Sequence, residues 1–288
     1  MRKRMAGLVP LSVSLMSCSV IVSAPAAPAA PPAVIAAPVY LLPSQADMLE
    51  LLGPPPAVDS AAQRQDLQAV IDAQRAAHRE GTISHAVADA DLNCSHIADV
   101  LGDDAAVSRD PGVLLLLNGA AREAAALSGS VKMRYRRTRP FATSHEVEPL
   151  ADMATSAANS TATRNLDTGG AAAIAPGVAG PAAATDLQHS SYPSGHSTFG
   201  TVCAILLADM VPEQRQALFE RGLDYAHSRM VVGAHFPTDL EAGRLIGTVS
   251  AQLLLQNAGF LRDFERARVS LRVSLRLSAS VADGVAVH

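Results

Sequence analysis

Between Asp110 and Leu127 the residues Leu114, Leu117, Ala121, Ala124 and Leu127 recur at intervals of three and four, and nearly every periodic stretch of this 288-residue chain does the same. That spacing lines one face of a helix and does not fit the two-residue period of a half-buried strand. Asp110 can cap this helix, and Pro111 suits its first position. Ser60 and Gln63 have capping-box spacing ahead of Leu67, Val70 and Ile71, which share a face, and Gly81 closes that helix. A second helix is predicted between Ser84 and Leu101, stopped by Gly102. Others are predicted to run up to Met210, from Pro212 past Phe219 and Tyr225 towards Arg229, and from Pro237 through Leu240, Leu245, Ile246, Val249 and Leu253. The expected fold is therefore all-α, a compact helical bundle. Composition agrees: 49% of residues are hydrophobic but 3% are aromatic, so the core must be built from Ala, Leu and Val, of which Ala and Leu favour helices over strands. One segment dissents. Val269, Leu271, Val273, Leu275 and Leu277 alternate with Ser and Arg, a strand-like period that predicts a loose tail or a docked extension.

The start of the chain reads as a targeting segment. Arg2, Lys3 and Arg4 precede an apolar run from Ala6 to Val22, and Ala24-Pro25-Ala26 and Ala27-Pro28-Ala29 offer cleavage sites. Residues 1–26 are thus expected to be a signal peptide and the protein periplasmic or secreted. Leu15-Met16-Ser17-Cys18 loosely resembles a lipobox, which makes a lipid anchor at Cys18 the competing reading. Residues 27–58, rich in Pro and Ala, read as an arm, 59–261 as the main helical domain and 262–288 as a C-terminal tail. The Ala-, Thr-, Ser- and Gly-dominated stretch from residue 142 to 191 reads as a surface excursion. Export permits a disulfide between Cys94 and Cys203, yet the apolar helical setting of Cys203 favours a buried thiol.

Three clusters could carry chemistry, and each has a bland reading. Lys132 and Arg139 flank a basic run that would ordinarily be a solvated face. The chain has only two lysines, however, and Lys3 belongs to the leader. Lys132 thus keeps a compact ammonium where arginine is used everywhere else, and the two cations are not interchangeable. Pro193-Ser194-Gly195-His196 opens a helix; a histidine there is ordinarily a cap or a surface residue. The sharper reading is an anion site: Gly195 admits close approach, the helix amides and the Ser194 hydroxyl donate, and His196 gives a proton to a departing oxygen. His235 and Asp239, at i and i+4, could be a simple contact on one helical face. Alternatively the carboxylate orients the imidazole, leaving its other nitrogen free to attack, with Arg229 as a third cation.

Taken together, these residues resemble the phosphatidic-acid phosphatase type 2 superfamily and, within it, the class A bacterial non-specific acid phosphatases. The family pattern K-x6-R-P, P-S-G-H, S-R-x5-H-x3-D is met by Lys132, Arg139-Pro140, Pro193 to His196, Ser228-Arg229, His235 and Asp239. The likeness extends from about Leu52 to Leu255, including Pro54-Pro55-Pro56, Phe141, Arg221-Gly222 and Gly233. It implies a helical bundle of the acid phosphatase/vanadium-dependent haloperoxidase type and a phosphohistidine mechanism. In that mechanism His235 attacks phosphorus, Asp239 orients it and His196 serves as acid and then base. Lys132, Arg139, Ser194, Gly195 and Arg229 bind the phosphoryl oxygens. An acidic optimum follows, because His196 must start protonated and His235 neutral.

The expected substrates are small phosphomonoesters such as nucleotides and sugar or aryl phosphates. No metal or other cofactor is expected: three fixed cations can stabilise the equatorial oxygens, and crowded beside a His/Asp set they would repel a metal ion. A net charge of −4, more negative once the leader is removed, argues against nucleic-acid binding. No segment after the leader approaches the ~20 apolar residues of a membrane span. Assembly into a homo-oligomer is left open. The alternatives are a membrane-surface lipid or isoprenoid phosphate phosphatase, a vanadate-dependent haloperoxidase, and a non-catalytic phosphate-binding protein.

Overall fold

The structure, a computed structural model, describes residues 39–42, 44–45, 52–102, 110–150 and 188–278. The predicted leader with Cys18, and most of the expected excursion, lie outside the described residues. Among the described residues every regular element is helical. The fold is all-α, and no described helix is long and apolar enough to cross a membrane.

The helices are α1 (Ala61–Glu80), α2 (Ile83–Ala88), α3 (Ser95–Ala98), α4 (Pro111–Leu127), α5 (Gly129–Tyr135), α6 (Pro140–Thr143), α7 (Gly195–Met210), α8 (Arg215–Val231), α9 (Pro237–Gln256) and α10 (Ala258–Ser274). The strongest local signals hold. Ser60 Oγ accepts from the Gln63 N–H, Gly81 caps α1, and Asp110 accepts from the amides of Gly112 and Val113 ahead of Pro111. The single helix expected between Ser84 and Leu101 is instead broken into α2, α3 and a 3-10 turn at Asp99–Leu101. Asp89 is buried at the first break and binds a distant arginine rather than extending the helix.

α7 is the central helix. Phe199, Val202, Cys203, Leu206, Leu207 and Met210 are buried on several sides of it, because α4, α8 and α9 all pack against it. Cys203 is not a thiol. It is bonded to Cys94, with Cα atoms 5.5 Å apart, well within the reach of a disulfide.

Two expected appendages belong to the folded unit where they are described. Of the predicted arm, Tyr40 and Leu41 are buried, and both of their amides donate to one oxygen of Glu123 on α4. The alternating segment from Val269 is not a strand but the end of α10 and the turn after it. Its working period is helical: Phe260, Phe264, Ala267 and Leu271 face the core, while Val269 and Val273 are exposed. The expected boundary at residue 262 falls inside this helix.

Candidate active site

The site is built where the start of α7 lies across the start of α9. The Ser194 amide donates to the Asp239 carbonyl at 2.9 Å, Ser197 Oγ donates to the Leu240 carbonyl at 2.6 Å, and Thr198 Oγ1 donates to the Gly243 carbonyl at 3.1 Å. So close an approach requires glycine at 243: a Cβ there would fall 2.3 Å from the Ser194 carbonyl oxygen. Ser194 caps α7, its Oγ accepting from the Ser197 amide at 3.2 Å, which leaves its O–H free to donate. The amides of Gly195 and His196 are first-turn donors with no partner inside their helix.

The first two cations are Lys132, on α5, and Arg139, in the chain between α5 and α6. Arg136, with φ 43°, ends α5, and the following residues alternate: Arg137 and Arg139 are buried while Arg136 is exposed. This segment runs beside residues 188–191, with Arg139 N–H donating to Gln188 O and Ser191 N–H to Arg137 O. Lys132 Nζ donates to the carbonyls of Ser190 and Pro193 at 2.7 and 2.5 Å. Arg139 Nη1 donates to Ala234 O at 3.0 Å and lies 3.4 Å from His235 Nε2; its Nη2 donates to Ser190 Oγ. The third cation, Arg229, is fully buried near the end of α8, donates from Nη2 to Ala86 O at 2.7 Å, and has no partner for Nε. Each of the three is held below its ordinary pKa by burial, with repulsion from Arg139 adding to it at Lys132 and from Arg229 at Arg139. The result is about 7 at Lys132 and about 10 at Arg139. Cations that disfavour one another in this way form a site that an anion would stabilise.

His235 and Asp239 are neighbours, but not on one helical face as their spacing suggests. Gly233, with φ 75°, turns the chain so that the amides of Ala234 and His235 both reach Arg229 O, which places His235 before α9. Asp239 is the third residue of that helix, and its Oδ2 caps it by accepting from the Phe236 amide at 2.8 Å. Oδ2 also accepts from Ser191 Oγ at 2.6 Å and lies 3.6 Å from His235 Nδ1; Oδ1 accepts from Arg137 Nη1 at 2.6 Å. Burial and Arg139 hold His235 down to about 3 despite Asp239, so its imidazole is neutral with Nε2 beside Arg139. Burial opposes ionisation of Asp239, but the adjacent His235 ring and the bonds from Arg137 and Ser191 prevail and keep it at about 2. His196 is buried, its Nε2 is 2.8 Å from Ala90 O, and its ring stacks on Tyr225. Burial, and then Arg229, push its pKa well below 6.5.

The structure thus brings together all eight residues singled out from sequence, while adding several that were not. Ser228 of the Ser-Arg pair turns away and donates to buried Asp89. Arg137 binds Asp239, Asp66, Gln63 and Thr238. Its partners lie 71 to 102 residues away and leave no local trace.

Residues 112–262 match the PAP2 superfamily. The chain is 29% identical over 244 residues to an acid phosphatase of Zymomonas mobilis, covering 82% of this chain and 80% of that one. It is 28% identical over 235 residues to a non-specific acid phosphatase of Providencia stuartii, covering 80% and 83%. A shorter stretch of 84 residues is 37% identical to a non-specific acid phosphatase of Salmonella typhimurium, 29% of this chain and 34% of that protein.

Proposed function

The chain belongs to the PAP2 superfamily and is a phosphatase, and from that premise we propose that it is an exported acid phosphatase hydrolysing small phosphomonoesters of many kinds through a phosphohistidine on His235. The observation that carries this reading is the convergence of Lys132, Arg139 and Arg229 beside a neutral, oriented imidazole. Phosphoryl transfer asks mainly for positioning and for charge stabilisation of the equatorial oxygens, which three fixed cations and the Gly195 and His196 amides supply.

In the first step His235 Nε2 attacks phosphorus as the ester P–O bond breaks, and His196 gives its proton to the departing alkoxide. Asp239 stabilises the positive charge that forms on the His235 ring. In the second step water attacks phosphorus, His196 takes a proton from it, and the P–N bond breaks to return neutral His235. The bound phosphoryl group supplies the negative charge that lets His196 hold a proton, and acid pH favours that state. The cations leave little room for a metal ion in this cycle, since each would repel it. The buried Cys94–Cys203 disulfide and the leader-like first 26 residues support an oxidising, periplasmic or secreted setting.

The test is hydrolysis of p-nitrophenyl phosphate from pH 4 to 9 in excess EDTA, with phosphoenzyme trapped by a denaturing quench at alkaline pH, where a phosphohistidine survives. EDTA-resistant turnover highest at acid pH, with trapped phosphate lost in His235→Ala, is the expected result. Turnover that EDTA abolishes, or that survives in His235→Ala, would overturn the reading.

A further inference from the structure

Asp239 shares its charge with Arg137, and Arg137 is in turn held from the other side. Its Nη1 donates to Asp239 Oδ1 at 2.6 Å, while Nη2 donates to Asp66 Oδ2 at 2.7 Å and to Gln63 Oε1 at 2.6 Å. The guanidinium lies 4.2 Å over the ring of Phe236, the residue after His235. Thr238 Oγ1 closes the cluster by donating to Asp66. All three charged groups are at least nine-tenths buried, so their interactions are poorly screened and removal of one is felt by the others. Asp66 and Gln63 come from α1, outside the residues that match the family, and neither contacts the phosphate cradle.

We propose that Asp66 is a positioning residue for this reaction: by neutralising Arg137 from behind, it leaves the charge of Asp239 available to His235. The inference rests on the reading of His235 as nucleophile. When His235 becomes phosphorylated its ring is cationic, and Asp239 is the carboxylate beside its Nδ1. An unopposed Arg137 would claim that carboxylate, aim it away from the imidazole and cancel its charge. Phosphorylation would slow while binding of the phosphoryl group, made by other residues, stayed as it was.

The experiment is a cycle of Asp66→Asn and Arg137→Gln in the full chain, reading kcat and the inhibition constant of inorganic phosphate. Asp66→Asn should lower kcat about tenfold, equivalent to one pKa unit of lost charge stabilisation, and leave phosphate inhibition within about twofold. Added to Arg137→Gln, it should cost nothing further, because no charge remains to be neutralised. Unchanged kcat in Asp66→Asn, an equal loss in both backgrounds, or a parallel loss of phosphate binding would each overturn the proposal. Should Asp66→Asn alone not fold, the double variant is compared with Arg137→Gln: equal kcat supports the proposal and lower kcat overturns it. Full activity of His235→Ala would instead remove the nucleophile reading before Asp66 comes into question.

Discussion

The Nε2 of His196 lies 2.8 Å from the carbonyl oxygen of Ala90. A carbonyl only accepts, so Nε2 must carry hydrogen, and Nδ1 is the nitrogen that can gain or lose a proton. In the free site burial and Arg229 keep Nδ1 unprotonated near neutrality, and Lys132 is half-titrated at about 7. A bound phosphate dianion raises both pKa values. Phosphate binding near pH 7 should therefore take up about one proton. Calorimetry in two buffers of different ionisation enthalpy measures this directly, and binding with no proton uptake would contradict the electrostatics described above.

Lys132 supplies a second prediction. Its pKa of about 7 in the free site means that its charge is present below that pH and lost above it. The dissociation constant of inorganic phosphate should accordingly rise faster above pH 7 in the wild type than in Lys132→Arg, by up to about tenfold per pH unit. Lys132→Arg is also expected to bind more weakly at pH 6, since a planar fork replaces a point charge donating to Ser190 and Pro193. Parallel pH profiles for the two proteins would show that Lys132 keeps its proton across this range.

What could be read from sequence and what could not divide along a physical line. Ser60 with Gln63 and Asp110 with Pro111 announced their helices because a cap is a contact within three residues. Ser194, Gly195 and His196 were legible as a candidate anion site because they open a helix, whereas Lys132 stood out as one of two lysines and Arg139 and Arg229 only through the family pattern. The break after α2 was not legible, because Asp89 is committed to Arg221, 132 residues away. Arg137 was hidden for the same reason, and Gln63, read as half of a capping box, spends its side chain on that arginine. The period-two pattern from Val269 misled because Val269 and Val273 are exposed apolar residues that mimic a strand face.

Asp89 leads to a third prediction. Burial opposes its charge, but bonds from Arg221 and Ser228 more than compensate and hold its pKa below the usual carboxylate value. Arg221 Nη1 also reaches Asp224, so a guanidinium fills the space that His85, Asp89 and Asp224 would otherwise offer a metal ion. A lowered carboxylate pKa contributes stability that is present above the unfolded value and lost as pH falls through the folded one. Asp89→Asn should therefore destabilise the protein by about 3–5 kcal/mol near pH 7, by leaving a buried guanidinium short of charge. The deficit should shrink towards strongly acid pH. Urea unfolding at several pH values checks both halves, and a constant deficit would show that packing, not charge, sets the cost.

The disulfide gives the last prediction, and it concerns the site as well as the fold. Cys94 follows Ala90 by four residues, and Cys203 follows His196 by seven, two turns along α7. The Cys94–Cys203 bond and the His196–Ala90 hydrogen bond are thus two rungs joining the same pair of segments. Arg229 is tied to that first segment too, through Ala86 O. Closing a loop across 109 positions of sequence restricts the unfolded chain, so removing the bond should cost stability of about 2–5 kcal/mol. A Cys94→Ala/Cys203→Ala variant should unfold at lower urea and with a steeper slope, because its uncrosslinked chain exposes more surface on unfolding. Its kcat should fall several-fold while phosphate inhibition changes little, since Lys132 and Arg139 are anchored elsewhere, on Ser190, Pro193 and Ala234. A variant that loses stability but keeps full kcat would show that the Ala90 carbonyl holds His196 without help from the covalent rung.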